Sequence, residues 1–204
     1  MARPHTPLLN RELIRDTALE LLDAQGAEGF SMRRLAQELG VRAASLYSHY
    51  PTKDELLDAV ADLVVGDVDT SGFARGWRHG LLLWARSYRG VLAAHPGAVP
   101  LVATGAGRRE GFLAMADAVH GGLVDAGWSP RRATMIAGAV KYLVVGAAST
   151  PFAGGFSDDA QVYLDRYPNL AQAHRLRAHA AQIDRESFEL GLAALVDGLG
   201  EQAP

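Results

Sequence analysis

"SMRRLAQELGVRAASLYSHYPTKDELL", Ser31 to Leu57, is the stretch on which the fold turns. It carries two short helical patterns around Gly40 and then the start of a third helix. Ser31 is an N-cap residue, and Phe30 and Leu35 have the spacing of a hydrophobic staple. Leu35, Ala36 and Leu39 face inward, and Gly40 ends this helix. The next is very short, Ala43 to His49, and Tyr50-Pro51 closes it because the residue before a proline is biased out of the helical region. Thr52-Lys53-Asp54-Glu55 then forms a capping box, followed by Leu56, Leu57, Val60, Ala61 and Val64 at helical spacing.

Outward from this stretch the pattern stays helical. Asn10 caps a helix that buries Ile14, Ala18, Leu21 and Leu22, and Gly26 stops it in the left-handed conformation. Glycine, aspartate, threonine and serine crowd residues 66 to 72, which places a domain boundary there: 1–68 and 69–204. Beyond it the spacing predicts helices over Ala74–Ala94, Arg108–Ala126, a Pro130 helix running to Ala148, and Asp184–Leu199. Ser129-Pro130 is a cap followed by proline at the first helical position. No polar/apolar alternation persists, so the chain reads as all-α with about nine or ten helices.

The bulk numbers bound the function. There are 204 residues and no cysteine, which excludes disulfides and thiolate metal sites and points to a cytoplasmic protein. Ala133–Ala148 is almost wholly apolar, yet it falls short of the roughly 20 residues of a membrane span and has Lys141 near its centre. It reads as a buried helix, with no membrane partner. The formal net charge is −3, so any nucleic-acid binding must come from a local patch.

Such a patch exists. Ser31 to Lys53 holds Arg33, Arg34, Arg42 and Lys53 against Glu38 alone, a local +3. A helix-turn-helix needs a tight turn, a slender polar recognition helix and flanking phosphate contacts. Gly40 supplies the turn. The third helix has one buried anchor, Leu46, and presents Arg42, Ala43, Ala44, Ser45, Tyr47, Ser48 and His49. Arg42 is suited to fork onto a guanine, Ala44 to meet a thymine methyl, and Ser45 to bond a base edge. Lys53, in the first turn of the fourth helix, is suited to phosphate. Arg33 and Arg34 open a helix where cations have no favourable dipole partner, which an external anion explains.

"ALELLDAQGAEGFSMRRLAQELGV" and "LYSHYPTKDELL" resemble the DNA-binding domain of the tetracycline-repressor (TetR) family over Leu13 to Val64. "AGWSPRRATMIAGAVKYLVVGAA", "YPNLAQA" and "FELGLAALVDGL" are similar to its tetracycline-repressor branch. The resemblance implies a homodimeric transcription regulator, usually a repressor, with an N-terminal helix-turn-helix domain and a larger C-terminal helical domain for ligand binding and dimerisation. It implies a palindromic DNA operator, released when a small apolar or aromatic effector binds. Base contacts carry over to Arg33, Arg42, Ala43, Ala44, Ser45 and Tyr47, and phosphate contacts to Ser31, Ser48, His49 and Lys53. No cofactor is implied. "HPGAVPLVATGAGR" has no histidine inside it where the repressor that names the family helps hold a drug-bound magnesium, so neither metal nor tetracycline specificity carries over.

Two further sets of residues are expectations of the same kind. The effector cavity is expected among Trp84, Tyr88, Met115, His120, Lys141, Tyr142, Phe152 and Phe156. A self-complementary apolar face for the dimer is expected from Gly138, Val145, Phe188, Leu192, Leu195 and Val196. The enzyme signatures fail: there is no Gly-x-Ser-x-Gly elbow and no His-Glu-x-x-His. "TGAGRREG" has the wrong glycine spacing for a dinucleotide loop, and His174 and His179 sit on different helix faces.

Overall fold

The computed structural model describes residues 9–103, 109–149, 152–164 and 166–203. Nine α-helices lie among them, with short 3-10 turns and no strand: α1 (Arg11–Gly29), α2 (Met32–Glu38), α3 (Ala43–Tyr47), α4 (Lys53–Gly66), α5 (Trp77–Ala94), α6 (Val99–Ala103), α7 (Glu110–Asp125), α8 (Pro130–Ser149) and α9 (Ala180–Gly200).

The helix starts follow the caps. Asn10 accepts from the Leu13 N–H at 2.7 Å, Ser31 from Arg34 at 3.2 Å, Thr52 from Glu55 at 3.1 Å and Ser129 from Arg132 at 3.3 Å. Gly26 breaks α1 with φ 72°, and Gly40 turns between α2 and α3 with φ 66°, conformations that cost a side chain energy.

Three boundaries differ from expectation. The third helix ends at Tyr47 rather than His49. The long helix begins at Trp77, because Ser71–Arg75 winds as a 3-10 turn that ends at Gly76. The last helix starts at Ala180, four residues before Asp184. Asp184 does not cap its own helix: its carboxylate accepts the backbone N–H groups of Phe152 and Ala153 at 3.1 and 3.2 Å.

The chain divides into two units. The first comprises residues up to Asp67 together with Ala94–Leu113, a segment that a linear boundary near residue 68 assigns elsewhere. Ile14, Ala18 and Leu22 of α1, Leu35 of α2, Leu46 of α3, and Leu56, Val60 and Val64 of α4 form its core, joined by Ala98 and Val102. Its last segment is pinned at several points. Asp23 accepts the Gly97 N–H at 3.0 Å and meets Nδ1 of His95 at 2.8 Å. The Gly97 backbone lies so near α1 that a Cβ would overlap the Leu22 carbonyl. The Arg109 guanidinium pairs with Asp58 at 2.6 Å, and the Phe112 N–H donates to Asp62 at 3.1 Å.

The second unit comprises Val68–Ala93 and residues from Ala114 onward. Leu81, Trp84, Tyr88 and Leu92 of α5, Val119 and Leu123 of α7, Ile136, Val140 and Val144 of α8, and Phe188, Leu192 and Val196 of α9 fill its core. Arg86 of α5 clamps Glu189 of α9 with both carboxylate oxygens within 3.1 Å.

α8 corrects the expectation of a buried helix. It is 20 residues long and mostly apolar, yet only Ala133, Ile136, Val140 and Val144 are buried. These four make one buried stripe, and the opposite face, with Met135 and Tyr142, is open.

Candidate nucleic-acid interface

The geometry of α2 and α3 follows from a few buried anchors. Leu46 is fully buried and Phe30 nearly so, which fixes α3 against the first unit's core. Arg42, Ala44, Ser45, Tyr47 and Ser48 are then left exposed, Tyr47 to 46%, while Ala43 and His49 are half-buried.

The basic residues divide by partner. Arg33 and Arg42 are exposed and form no ion pair or side-chain hydrogen bond among the described residues. Arg34 meets Glu38 at 3.5 Å, one helical turn on. Lys53 donates to the Phe30 carbonyl at 3.1 Å and stands 5.4 Å from that ring, holding the start of α4 to the turn before α2. Its ammonium keeps further protons for an external anion.

The hydroxyls divide likewise. Ser31 accepts from the Arg34 N–H, which leaves its own proton free. Ser48 donates its single proton to the Ser45 carbonyl at 2.7 Å. In this arrangement it has no donor for a phosphate oxygen, unlike Ser31.

Two residues that sequence reasoning passed over position α3. The Arg11 guanidinium lies 4.1 Å from the centroid of the Tyr50 ring and donates to the His49 carbonyl. The Tyr50 hydroxyl donates back to the Arg11 carbonyl at 3.1 Å. This reciprocal pair ties the first turn of α1 to the end of the recognition segment. Its members are 39 residues apart, so no local period reveals them.

The expected effector residues lie at different depths in the second unit. Trp84, Tyr88 and Met115 are buried, with the Trp84 and Tyr88 rings 6.2 Å apart and, among the described residues, no partner for the buried Trp84 indole N–H. His120 is half-buried, and its Nδ1 lies 2.7 Å from the Ala116 carbonyl in its own helix. Lys141 is half-buried. Tyr142 and Phe152 lie at the surface, 80% and 68% exposed. They line a shallow groove of about 270 Å3 with Asp184 and Phe188. Phe156 meets Phe152 edge-to-face at 5.2 Å.

The expected dimer residues divide by depth. Phe188, Leu192 and Val196 are at most 2% exposed and serve the chain's own core. Gly138, Val145 and Leu195 are only half-buried. Among the described residues no group of three or more metal-ligating side chains is placed to hold an ion.

Known proteins match along both parts of the chain. Residues 14–60 match the model of the bacterial regulatory proteins of the tetR family, and residues 74–203 match the tetracyclin repressor-like C-terminal domain. The chain belongs to the TetR family. It is similar to the class A tetracycline repressor of transposon 1721 from Escherichia coli, 34% identical over 97% of this chain and 93% of that one. Among solved structures it is similar to the TetR-family protein ActR of Streptomyces coelicolor in complex with actinorhodin, with TM-score 0.77 and 29% identity over 97% and 98% of the two chains. It is also similar to BioQ in complex with its double-stranded DNA operator, with TM-score 0.67 and 26% identity over 94% and 98%. As a TetR-family member the chain is a helix-turn-helix transcriptional regulator with a ligand-binding domain, not an enzyme.

Proposed function

We propose that this TetR-family chain is a homodimeric repressor that binds a palindromic operator and leaves it when a small apolar or aromatic effector enters its second domain. The observation that carries the DNA half is the pair of unpartnered arginines. Arg33 and Arg42 flank an exposed recognition surface with no ion pair or side-chain hydrogen bond among the described residues, and a guanidinium fork matches the acceptor edge of guanine. Ala44 and Ser45 add small contacts beside them. Ser31 and Lys53 grip phosphate. The solved BioQ–operator complex supports binding to duplex DNA by likeness.

The open face of α8 supports the dimer. Tyr142 and, on α9, Leu190 are exposed to 80% and 74%, with Met135 at 48%. An added Cβ at Gly138 or Gly146 would meet no atom within 4 Å, so these positions let a second helix approach closely. A soluble monomer does not ordinarily leave such a face uncovered. The partner surface is therefore Met135, Gly138, Tyr142, Gly146 and Leu190, flanked by Val145 and Leu195, with Phe188, Leu192 and Val196 beneath it as support.

The effector site is centred on the buried Trp84–Tyr88 pair. An indole N–H left without a partner inside an apolar core is a donor awaiting an acceptor. The ActR–actinorhodin complex supports a small-molecule effector by likeness. Tetracycline with magnesium is not proposed, because residues 96–108, after the long helix, hold no histidine. The test is an operator shift with duplexes from upstream of the coding region, run beside sedimentation. A retarded duplex and a dimer mass support the proposal; a monomer that retards no duplex overturns it.

A further inference from the structure

A second pocket, open to solvent, lies on the second unit, apart from the residues assigned above. The cavity there has a volume of about 540 Å3 and is lined by Thr70, Ser71, Phe73, Trp77, Gly122 and Asp125. That size is within the range of small-molecule sites, roughly 300–1,000 Å3.

Its aromatic wall is rigid. Phe73 stands on the 3-10 turn Ser71–Arg75 with its ring seated between Gly80 of α5 and Gly122 of α7, where a Cβ on either glycine would overlap it. Trp77, the first residue of α5, is held edge-to-face by Trp128 at 5.7 Å. Neither ring has to be ordered when something binds, which removes a usual cost of association.

The charge beside these rings is unexplained by the fold. Asp125 carries the only carboxylate in the lining, is exposed, and is the last residue of α7. A negative charge there faces the negative end of the helix dipole. Its side chain makes no hydrogen bond or ion pair among the described residues. Thr70 and Ser71 supply hydroxyl oxygens on the same cavity.

We propose that this cavity binds a small organic cation with a flat apolar body, the class of an aromatic ammonium. Its cation meets Asp125 and the Thr70 and Ser71 oxygens, and its body lies against Phe73 and Trp77. The site is independent of the DNA assignment, and its failure would leave the repressor reading intact.

Calorimetric titration of the full chain with benzyltrimethylammonium tests it, with benzenesulfonate as the anionic control. Saturable binding of the cation is expected, weakened at least tenfold by Asp125→Asn and abolished by Ala118→Trp, which fills the cavity from an exposed position on α7. Benzenesulfonate should not bind. No saturable uptake of the cation, equal affinity in Asp125→Asn, or unchanged binding by Ala118→Trp in a variant that melts at the natural temperature would overturn the proposal.

Discussion

Replacing Arg42 and Lys53 separately by alanine should produce opposite signatures, because the structure gives the two cations opposite surroundings. Arg42 has no ion pair or side-chain hydrogen bond among the described residues. Its removal should leave stability within about 0.5 kcal/mol of natural. The loss falls on recognition. A bidentate contact to a base edge is worth about 1–3 kcal/mol, so affinity for the preferred half-site should fall by about 5- to 150-fold. Duplexes already substituted at the contacted base pair should lose almost nothing. Lys53 donates to the Phe30 carbonyl at 3.1 Å and stacks near its ring. Its removal should cost about 1 kcal/mol of stability, a fall of about 2–4 °C in Tm for a chain of this size. It should also weaken every duplex alike and reduce the salt slope by about one ion. Fluorescence anisotropy over a salt series, with matched and substituted duplexes, separates the two, and a thermal melt of each variant completes the set. If Arg42→Ala weakens all duplexes equally, or Lys53→Ala relaxes base preference, the division into base and phosphate contacts is wrong.

Three other outcomes follow from the packing. Leu190→Glu should give a folded monomer by sedimentation, whereas Leu192→Glu, placing a charge at a fully buried position, should fail to fold; two folded dimers would move the interface elsewhere. Gly97→Ala should destabilise the first unit by about 1–3 kcal/mol in urea unfolding, since the new methyl meets the Leu22 carbonyl; an unchanged midpoint would contradict that close approach. The Arg86 hydrogen bonds hold the Glu189 carboxyl below the ordinary carboxylate range. A lowered folded-state pKa stabilises above the ordinary value and is lost as pH falls through the lowered one. The pair is half exposed, so the effect is at most about 1 kcal/mol. On acidification the natural chain should lose more Tm than Glu189→Gln; parallel losses would dismiss the pair as a contributor.

The local signals were legible. Asn10, Ser31, Thr52 and Ser129 each start a helix by side-chain capping, and Gly26 and Gly40 take the positive φ that stops or turns one. These depend on residues three or four apart, which a sequence displays directly. Asp184 shows the limit. It has the chemistry of a cap, and it does cap, but for Phe152 and Ala153 rather than for its own helix. The Arg11–Tyr50 and Asp23–His95 pairs were invisible for the same reason, since each joins residues far apart in the chain. Periodicity also marks which face of a helix is apolar without saying what covers it. Phe188, Leu192 and Val196 lie on the apolar face that the spacing marks and are buried in the chain's own core, while Leu190 between them is exposed.

Selection of bound duplexes from a random library is the most direct test of the central claim, that Arg33 and Arg42 read an inverted repeat. The natural chain should enrich an inverted repeat, and the Arg33→Ala, Arg42→Ala double variant should lose that enrichment while keeping its fold. No enrichment by the natural chain, or the same repeat enriched without the two arginines, would contradict it.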